Sequence, residues 1–250
     1  MPADWVKRSA KAALPESAYR WLAGAKRRLT ADPPLGSVSL GDLRRLTPVS
    51  RAFGMDRGQA IDRYYIERFL EAHAAEIRGR VLEFGDDAYT RRFGGARVTA
   101  RDVLHPTRDN PAATIVADLD RGDAVPEGVF DCVVCTQMLP FVYEVRSAVR
   151  AIHRMLKSGG TVLVTAPGLS QISRYDMDRW GDYWRFTSRS LRRLFEEAFP
   201  PGGLAVETRG NALAAVAFLE GLCAEELSPE ELDHRDPDYE LVITLVATKP

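Results

Sequence analysis

From Arg80 onward, short apolar runs alternate with segments whose apolar residues recur at helical spacing. Apolar runs with no polar alternation fit strands covered on both faces, and strands separated by helices return by crossovers, which makes a parallel sheet. The runs are 81–84, 97–101, 114–117, 130–136, 161–165, 204–208 and 239–248. Between the fourth and fifth, Val145, Ala148, Val149, Ile152, Met155 and Leu156 share one helical face that stops at Gly159-Gly160. Other helical patterns cover 61–77, ending at Gly79, then 191–199, closed by Pro200-Pro201 and capped by Thr187 or Ser188, then 212–222. The expectation is an α/β chain, a doubly wound, Rossmann-like sheet of seven mostly parallel strands.

Upstream, two apolar-basic segments, 5–14 and 15–29, read as helices, with Pro15 in the first turn of the second. A linker rich in Pro and Gly follows at 32–41, so residues 1–60 are set apart as an N-terminal helical and lid extension and 61–250 as the main domain. The longest apolar run, Ala212 to Leu219, has eight residues, far short of the ~20 that span a bilayer. Charges at Lys7, Arg8, Lys11 and Glu16 interrupt the start where a secretory signal would be continuously apolar, so the chain reads as cytoplasmic. Thirty-four basic against thirty-five acidic groups leave a net charge of -1, and no field that would draw in nucleic acid. Residues 1–30 do carry seven Lys or Arg against two acids. That basic, Trp-bearing start is read as docking within the chain in preference to resting on an anionic membrane surface.

Cys132 and Cys135 spell C-x-x-C, but on a strand they point to opposite faces and stand too far apart for a bridge. No metal site is expected from them. In a doubly wound sheet, ligands bind beyond the carboxyl ends of the strands, so those ends carry the chemistry. The first reads Glu83-Phe84-Gly85-Asp86-Asp87-Ala88-Tyr89. The second is taken to finish at Asp102, nineteen residues after Glu83, close to the spacing of an acid that holds ribose hydroxyls. The third finishes Ala117-Asp118-Leu119. A pyrophosphate needs several glycines in the first turn so that backbone amides can approach, and here Gly85 stands alone beside two aspartates that repel phosphate. A phosphate-free nucleoside with a positive centre, such as S-adenosylmethionine, suits such a crevice better.

With VLEFGDDAY at 81–89, Asp102, ADL at 117–119, FDCVVCTQML at 130–139 and RMLKSGGTVLVTAP at 154–167, the region from Tyr64 to Pro167 resembles a class I S-adenosylmethionine-dependent methyltransferase, of a type associated with glycan biosynthesis. The resemblance implies S-adenosylmethionine as cofactor and an antiparallel last strand. It implies that Glu83, Phe84 and Gly85 line the methionine and ribose end, that Asp102 holds the ribose hydroxyls with Val103 beside the adenine, that Asp118 meets the adenine amine, that Leu119 packs on the ring, and that Thr136 and Gln137 floor the methyl group. The first motif departs from the family's glycine-rich form at Asp87 and Tyr89.

The acceptor is expected to be a small hydroxylated molecule, a sugar or glycolipid by analogy with that association. Trp180, Tyr183 and Trp184 stand beside charges in 180–187, a composition suited to gripping a hydroxylated ring, and Tyr143, Asp182, Trp184 and Arg185 are the substrate-binding candidates. Candidates for the base come from Tyr143 and Glu144 after the fourth strand and Asp176, Asp178, Asp182 and Arg185 after the fifth, unranked. Residues 51–58 and 62–65 read as a lid over cofactor and acceptor. Two other functions stay open: a methyltransferase-like binding protein without turnover, motivated by the Gly85-Asp86-Asp87 turn, and a nicotinamide-dependent oxidoreductase, disfavoured by the missing glycines.

Overall fold

A computed structural model describes residues 15–30, 33–35, 37–122 and 124–250. The helix expected at 5–14 lies outside the described residues. Two compact units divide between Leu46 and Thr47. The first contains α1 (Glu16–Thr30), which starts just after Pro15, whose carbonyl accepts from the Tyr19 amide at 3.0 Å.

The second unit holds a seven-stranded sheet in the order β3-β2-β1-β4-β5-β7-β6. The strands are β1 (Gly79–Phe84), β2 (Val98–His105), β3 (Ile115–Val116), β4 (Phe130–Thr136), β5 (Leu156–Pro167), β6 (Leu204–Arg209) and β7 (Val242–Thr248). Only β7 runs antiparallel, wedged between β5 and β6. The expected doubly wound sheet with an antiparallel last strand is what the chain forms.

Helices cover both faces, because β1, β4 and β5 are apolar on both sides. On one face α3 (Val145–Met155) and α5 (Ser188–Glu196) pack Val149, Ile152, Leu191 and Phe195 onto Leu82, Val133, Val162 and Leu245. Phe195 is fully buried, worth about 2–3 kcal/mol by transfer of its area from water. Across the sheet α2 (Ile61–Ala72) and α6 (Ala212–Glu220) set Ile66, Leu70, Ala214 and Phe218 against Val81, Val134 and Leu163. Cys132 and Cys135 fall on these opposite faces as free, buried thiols.

Local chemistry fixes the ends. Thr187 caps α5, accepting from the Ser190 amide at 3.1 Å while Ser190 Oγ accepts from the Thr187 amide at 3.0 Å. Asn211 caps α6 through the Ala214 amide at 3.0 Å. The segment between α6 and β7 holds α7 (Pro229–Asp233), entered through a Ser228–Glu231 capping box.

Several boundaries differ from expectation. The helix from Ile61 ends at Ala72, and residues 73–76 form turns. α3 stops at Met155, and Gly159-Gly160 lies inside β5, where the register against β4 shifts and the Gly159 amide donates to the Lys249 carbonyl at 2.8 Å. β7 starts at Val242, not at Tyr239.

Residues 47–60 belong to the sheet unit, not with the N-terminal extension. They are fastened to the turn after α6. Ala60 bridges Cys223, the Gln59 amide donates to Glu225, and Arg57 grips Glu226 with two nitrogens. Gly54 has φ +83, and a Cβ there would collide with the Leu222 carbonyl.

Candidate functional site

The carboxyl ends of β1, β2, β4 and β5 converge on the turn after β1. Gly85 turns the chain at φ +83, with nothing within 4 Å of where a Cβ would stand, so space opens above it. Its amide donates to the Leu104 carbonyl of β2 at 3.1 Å, and its carbonyl accepts from Asn110 Nδ2 at 2.6 Å. The turn is therefore tied to β2 and to the loop that follows it.

Glu83 is 3% exposed and holds the start of the next helical segment, accepting from the Tyr89 amide at 3.2 Å and the Thr90 amide at 2.8 Å. Burial pushes its carboxyl up to about 7, against the pull of those amides. Phe84, beside it, is half-buried and packs on the core. Asp86 accepts from the Ala88 amide at 2.8 Å. Asp87 is neutralised by Arg91 at 2.9 Å and Arg101 at 3.1 Å. Only part of the negative field expected from the twin aspartates thus survives at the turn.

The second strand corrects the sequence reading. Asp102 lies in mid-strand, three residues before β2 ends at His105, and pairs in register with Leu82. Its carboxylate takes Arg80 Nε at 2.7 Å and Thr114 Oγ1 at 2.9 Å, and the bond to Arg80 holds it below the usual carboxylate range. The strand end belongs instead to His105, whose ring meets Trp180 edge to face at 5.4 Å. Val103 is buried opposite Glu83. Asp118 lies two residues beyond β3, with Arg121 at 3.2 Å, and Leu119 is buried in the core. Thr136 and Gln137 stand at the end of β4 as expected, Thr136 in register with Thr165 of β5.

Gln137 has φ +54, a left-handed conformation unfavourable for a side chain, and its amide donates to the Thr165 carbonyl at 2.9 Å. Its Nε2 is buried without a hydrogen-bond partner, as are Thr165 Oγ1 and Asp62 Oδ1. Buried polar atoms are ordinarily satisfied, and Gln137 Nε2 and Thr165 Oγ1 lie on adjoining strand ends, β4 and β5, with hydrogen bonds left to make.

The segment after β5 forms the outer wall. α4 (Arg174–Met177) is capped by Ser173, whose Oγ donates to Asp176 at 2.6 Å. Asp182, its side chain 2% exposed, is gripped by Arg185 at 2.6 and 2.9 Å and accepts from the Ser173 amide at 3.1 Å. Arg185 also donates to the Gln171 carbonyl at 2.6 Å. These two substrate candidates are thus engaged with each other and with the loop. The other two come together at the surface. Tyr143 meets Tyr183 at 5.3 Å and Trp184 at 5.9 Å, with Trp184 Nε1 donating to the Val142 carbonyl at 3.1 Å. Tyr143 is 56% exposed and Trp184 37%. Among the base candidates, Asp178 pairs with Arg174 and Asp176 with Ser173, while Glu144 is exposed. Sequence reasoning missed Asn110, in a loop with no periodic signal.

Residues 84–164 match the family model described as a methyltransferase domain. No curated protein matches the chain. Similar solved structures include an S-adenosylmethionine-dependent methyltransferase from Mesorhizobium loti, 18% identical, covering 76% of this chain and 98% of that one, TM-score 0.48. Another from Archaeoglobus fulgidus is 12% identical, covering 74% and 94%, TM-score 0.49. A phosphoethanolamine N-methyltransferase 2 from Haemonchus contortus, in complex with S-adenosyl-L-methionine, is 14% identical, covering 87% of this chain and 61% of that one, TM-score 0.45. No described helix is long and apolar enough to cross a membrane.

Proposed function

We propose that this chain is an S-adenosylmethionine-dependent methyltransferase that methylates a hydroxyl of a small acceptor, a sugar or glycolipid. The observation that carries the reading is where the methyltransferase-domain match falls. It begins at Phe84, the last residue of β1, and ends within β5, so it spans the turn at Gly85 and the strand ends that surround the crevice. The donor set fits the cofactor. Gly85 leaves open space for a nucleoside, and Gln137 and Thr165 carry buried polar atoms that its hydroxyls and amines would pair with. Glu83 would stand near the cationic end, Gln137 and Thr136 beneath the methyl group, and Asp118 at the base.

When bound, the cofactor supplies a methyl group on a sulfonium, which leaves as a neutral thioether. The chain's own part is alignment. A rigid floor at β4 and β5 and an acceptor held at the correct distance can supply about 7–11 kcal/mol of the barrier. The aromatic faces of Tyr143, Tyr183 and Trp184 offer the acceptor a flat, half-exposed wall suited to the C–H face of a sugar ring. The Asp182–Arg185 clamp holds that wall in place. Asp176, Asp178 and Asp182 are engaged in turns and ion pairs, which leaves Glu144 and the Tyr143 hydroxyl as proton acceptors within the wall.

Calorimetry with S-adenosylhomocysteine tests the cofactor, with micromolar binding expected. Transfer of a labelled methyl group from S-adenosylmethionine to a panel of sugars tests the acceptor. Absence of binding removes the proposal, and binding with no transfer to any hydroxylated acceptor points to a binding protein without turnover.

A further inference from the structure

α1 is amphipathic, and its apolar side stands in water. At about 100° per residue, Ala18, Trp21, Leu22 and Ala25 fall within one sector about 100° wide. Trp21 is 72% exposed and Leu22 47%. Lys26 and Arg28, both exposed, stand at the two borders of that sector, while Arg20 is paired with Glu16 on the far side. After the helix, Leu35, Val38 and Leu40 are exposed as well, so the same unit offers further apolar side chains. Charge divides along the unit boundary. Residues 1–46 hold nine Lys and Arg against four Asp and Glu, and 47–250 hold twenty-five against thirty-one. An anionic surface therefore attracts the first unit and not the second.

With 15 residues, α1 is about 22 Å long, too short to cross the ~30 Å of a bilayer, and its polar side excludes burial in hydrocarbon. A Trp and Leu face with cations on both borders fits a planar sheet of anionic headgroups. Indole rings settle at headgroup depth, and Lys and Arg lay their stems along apolar surface while the charges reach the phosphates. We infer that α1 lies along the surface of an anionic membrane, with Trp21 and Leu22 below the headgroups and Lys26 and Arg28 among them. The sequence alone favours docking within the chain, and the exposure of Trp21 and Leu22 turns that preference toward lipid. The inference is independent of the function proposed above.

The test sediments the full chain with vesicles of phosphatidylcholine alone and of equal parts phosphatidylcholine and phosphatidylglycerol. Affinity for the anionic vesicles should exceed that for the neutral ones by at least about thirtyfold, and should fall as sodium chloride is added. Trp21→Ala should weaken binding to anionic vesicles at least about tenfold, and Lys26→Glu combined with Arg28→Glu at least about thirtyfold. These side chains are exposed, so circular dichroism and the thermal midpoint should stay as in the wild type. Trp21→Phe keeps the apolar face and most of the affinity, but quenching of tryptophan emission by brominated acyl chains should drop. No binding to either vesicle, equal binding to both, or quenching that Trp21→Phe leaves unchanged overturns the inference. So does a concentration-dependent dimer, formed without lipid and abolished by Trp21→Ala, which gives the face to a second copy of the chain.

Discussion

Glu83 offers a measurement that isolates one group. Its carboxyl is buried beneath the Gly85 turn and raised from 4.5 to about 7. At about 1.4 kcal/mol for each tenfold change in proton affinity, that displacement is worth about 3 kcal/mol. The sign follows from proton binding. Below pH 4.5 the group is protonated in both folded and unfolded chains and has no effect. Between 4.5 and 7 the unfolded chain has lost the proton while the folded chain keeps it, so stability falls as pH rises and levels off above 7. The Tyr89 and Thr90 amides donate to different oxygens of Glu83, so Glu83→Gln removes the charge and keeps one of the two bonds, and the lost bond lowers the variant's stability equally at every pH. Urea denaturation of both proteins at half-unit steps from pH 4.5 to 8 should show the variant gaining on the wild type by about 3 kcal/mol over that window. Parallel curves would refute the argument, because they would mean that the buried carboxyl does not titrate between those limits.

Three further outcomes follow from the same geometry. Gly85→Ala meets no neighbouring atom and bears only the left-handed backbone cost, about 1–2 kcal/mol, so its denaturation midpoint should drop modestly while circular dichroism is unchanged. Asp182→Asn leaves the Arg185 guanidinium without its buried partner and should cost about 3 kcal/mol by the same assay, together with faster hydrogen exchange at Ser173. Trp184→Ala and Tyr143→Ala remove half-exposed rings, so stability should move by less than about 1 kcal/mol while acceptor KM rises and S-adenosylhomocysteine affinity holds. A fall in cofactor affinity would place the aromatic wall elsewhere.

The sheet was readable because its central strands are apolar on both faces and the intervening helices carry strict periodicity, as Val145 to Met155 shows. Strand ends were harder. The first half of β2 is exposed and polar, so Asp102 looked like the point where the strand stops, although the chain stays extended through Val103, Leu104 and His105 up to Pro106. Gly159-Gly160 reads as a helix terminator, yet both residues are drawn into β5 by bonds with Lys249, a partner ninety residues away that no local pattern reveals. The substrate candidates come from one stretch of sequence and Tyr143, but they do not share one circumstance. Composition grouped Asp182 and Arg185 with Trp184, but only three-dimensional packing showed that the two charges satisfy each other. The orphaned atoms of Asp62 and Gln137 were invisible for the same reason, since a sequence names a polar group without naming its company.

The fastening of residues 47–60 to the turn at 222–226 has a practical corollary for anyone who edits this protein. Arg57 and Glu226 are separated by 169 positions in the chain, yet they are joined directly, four residues before α2 begins. A graft confined to the recognisable middle third would carry the floor into its new host and leave both walls behind.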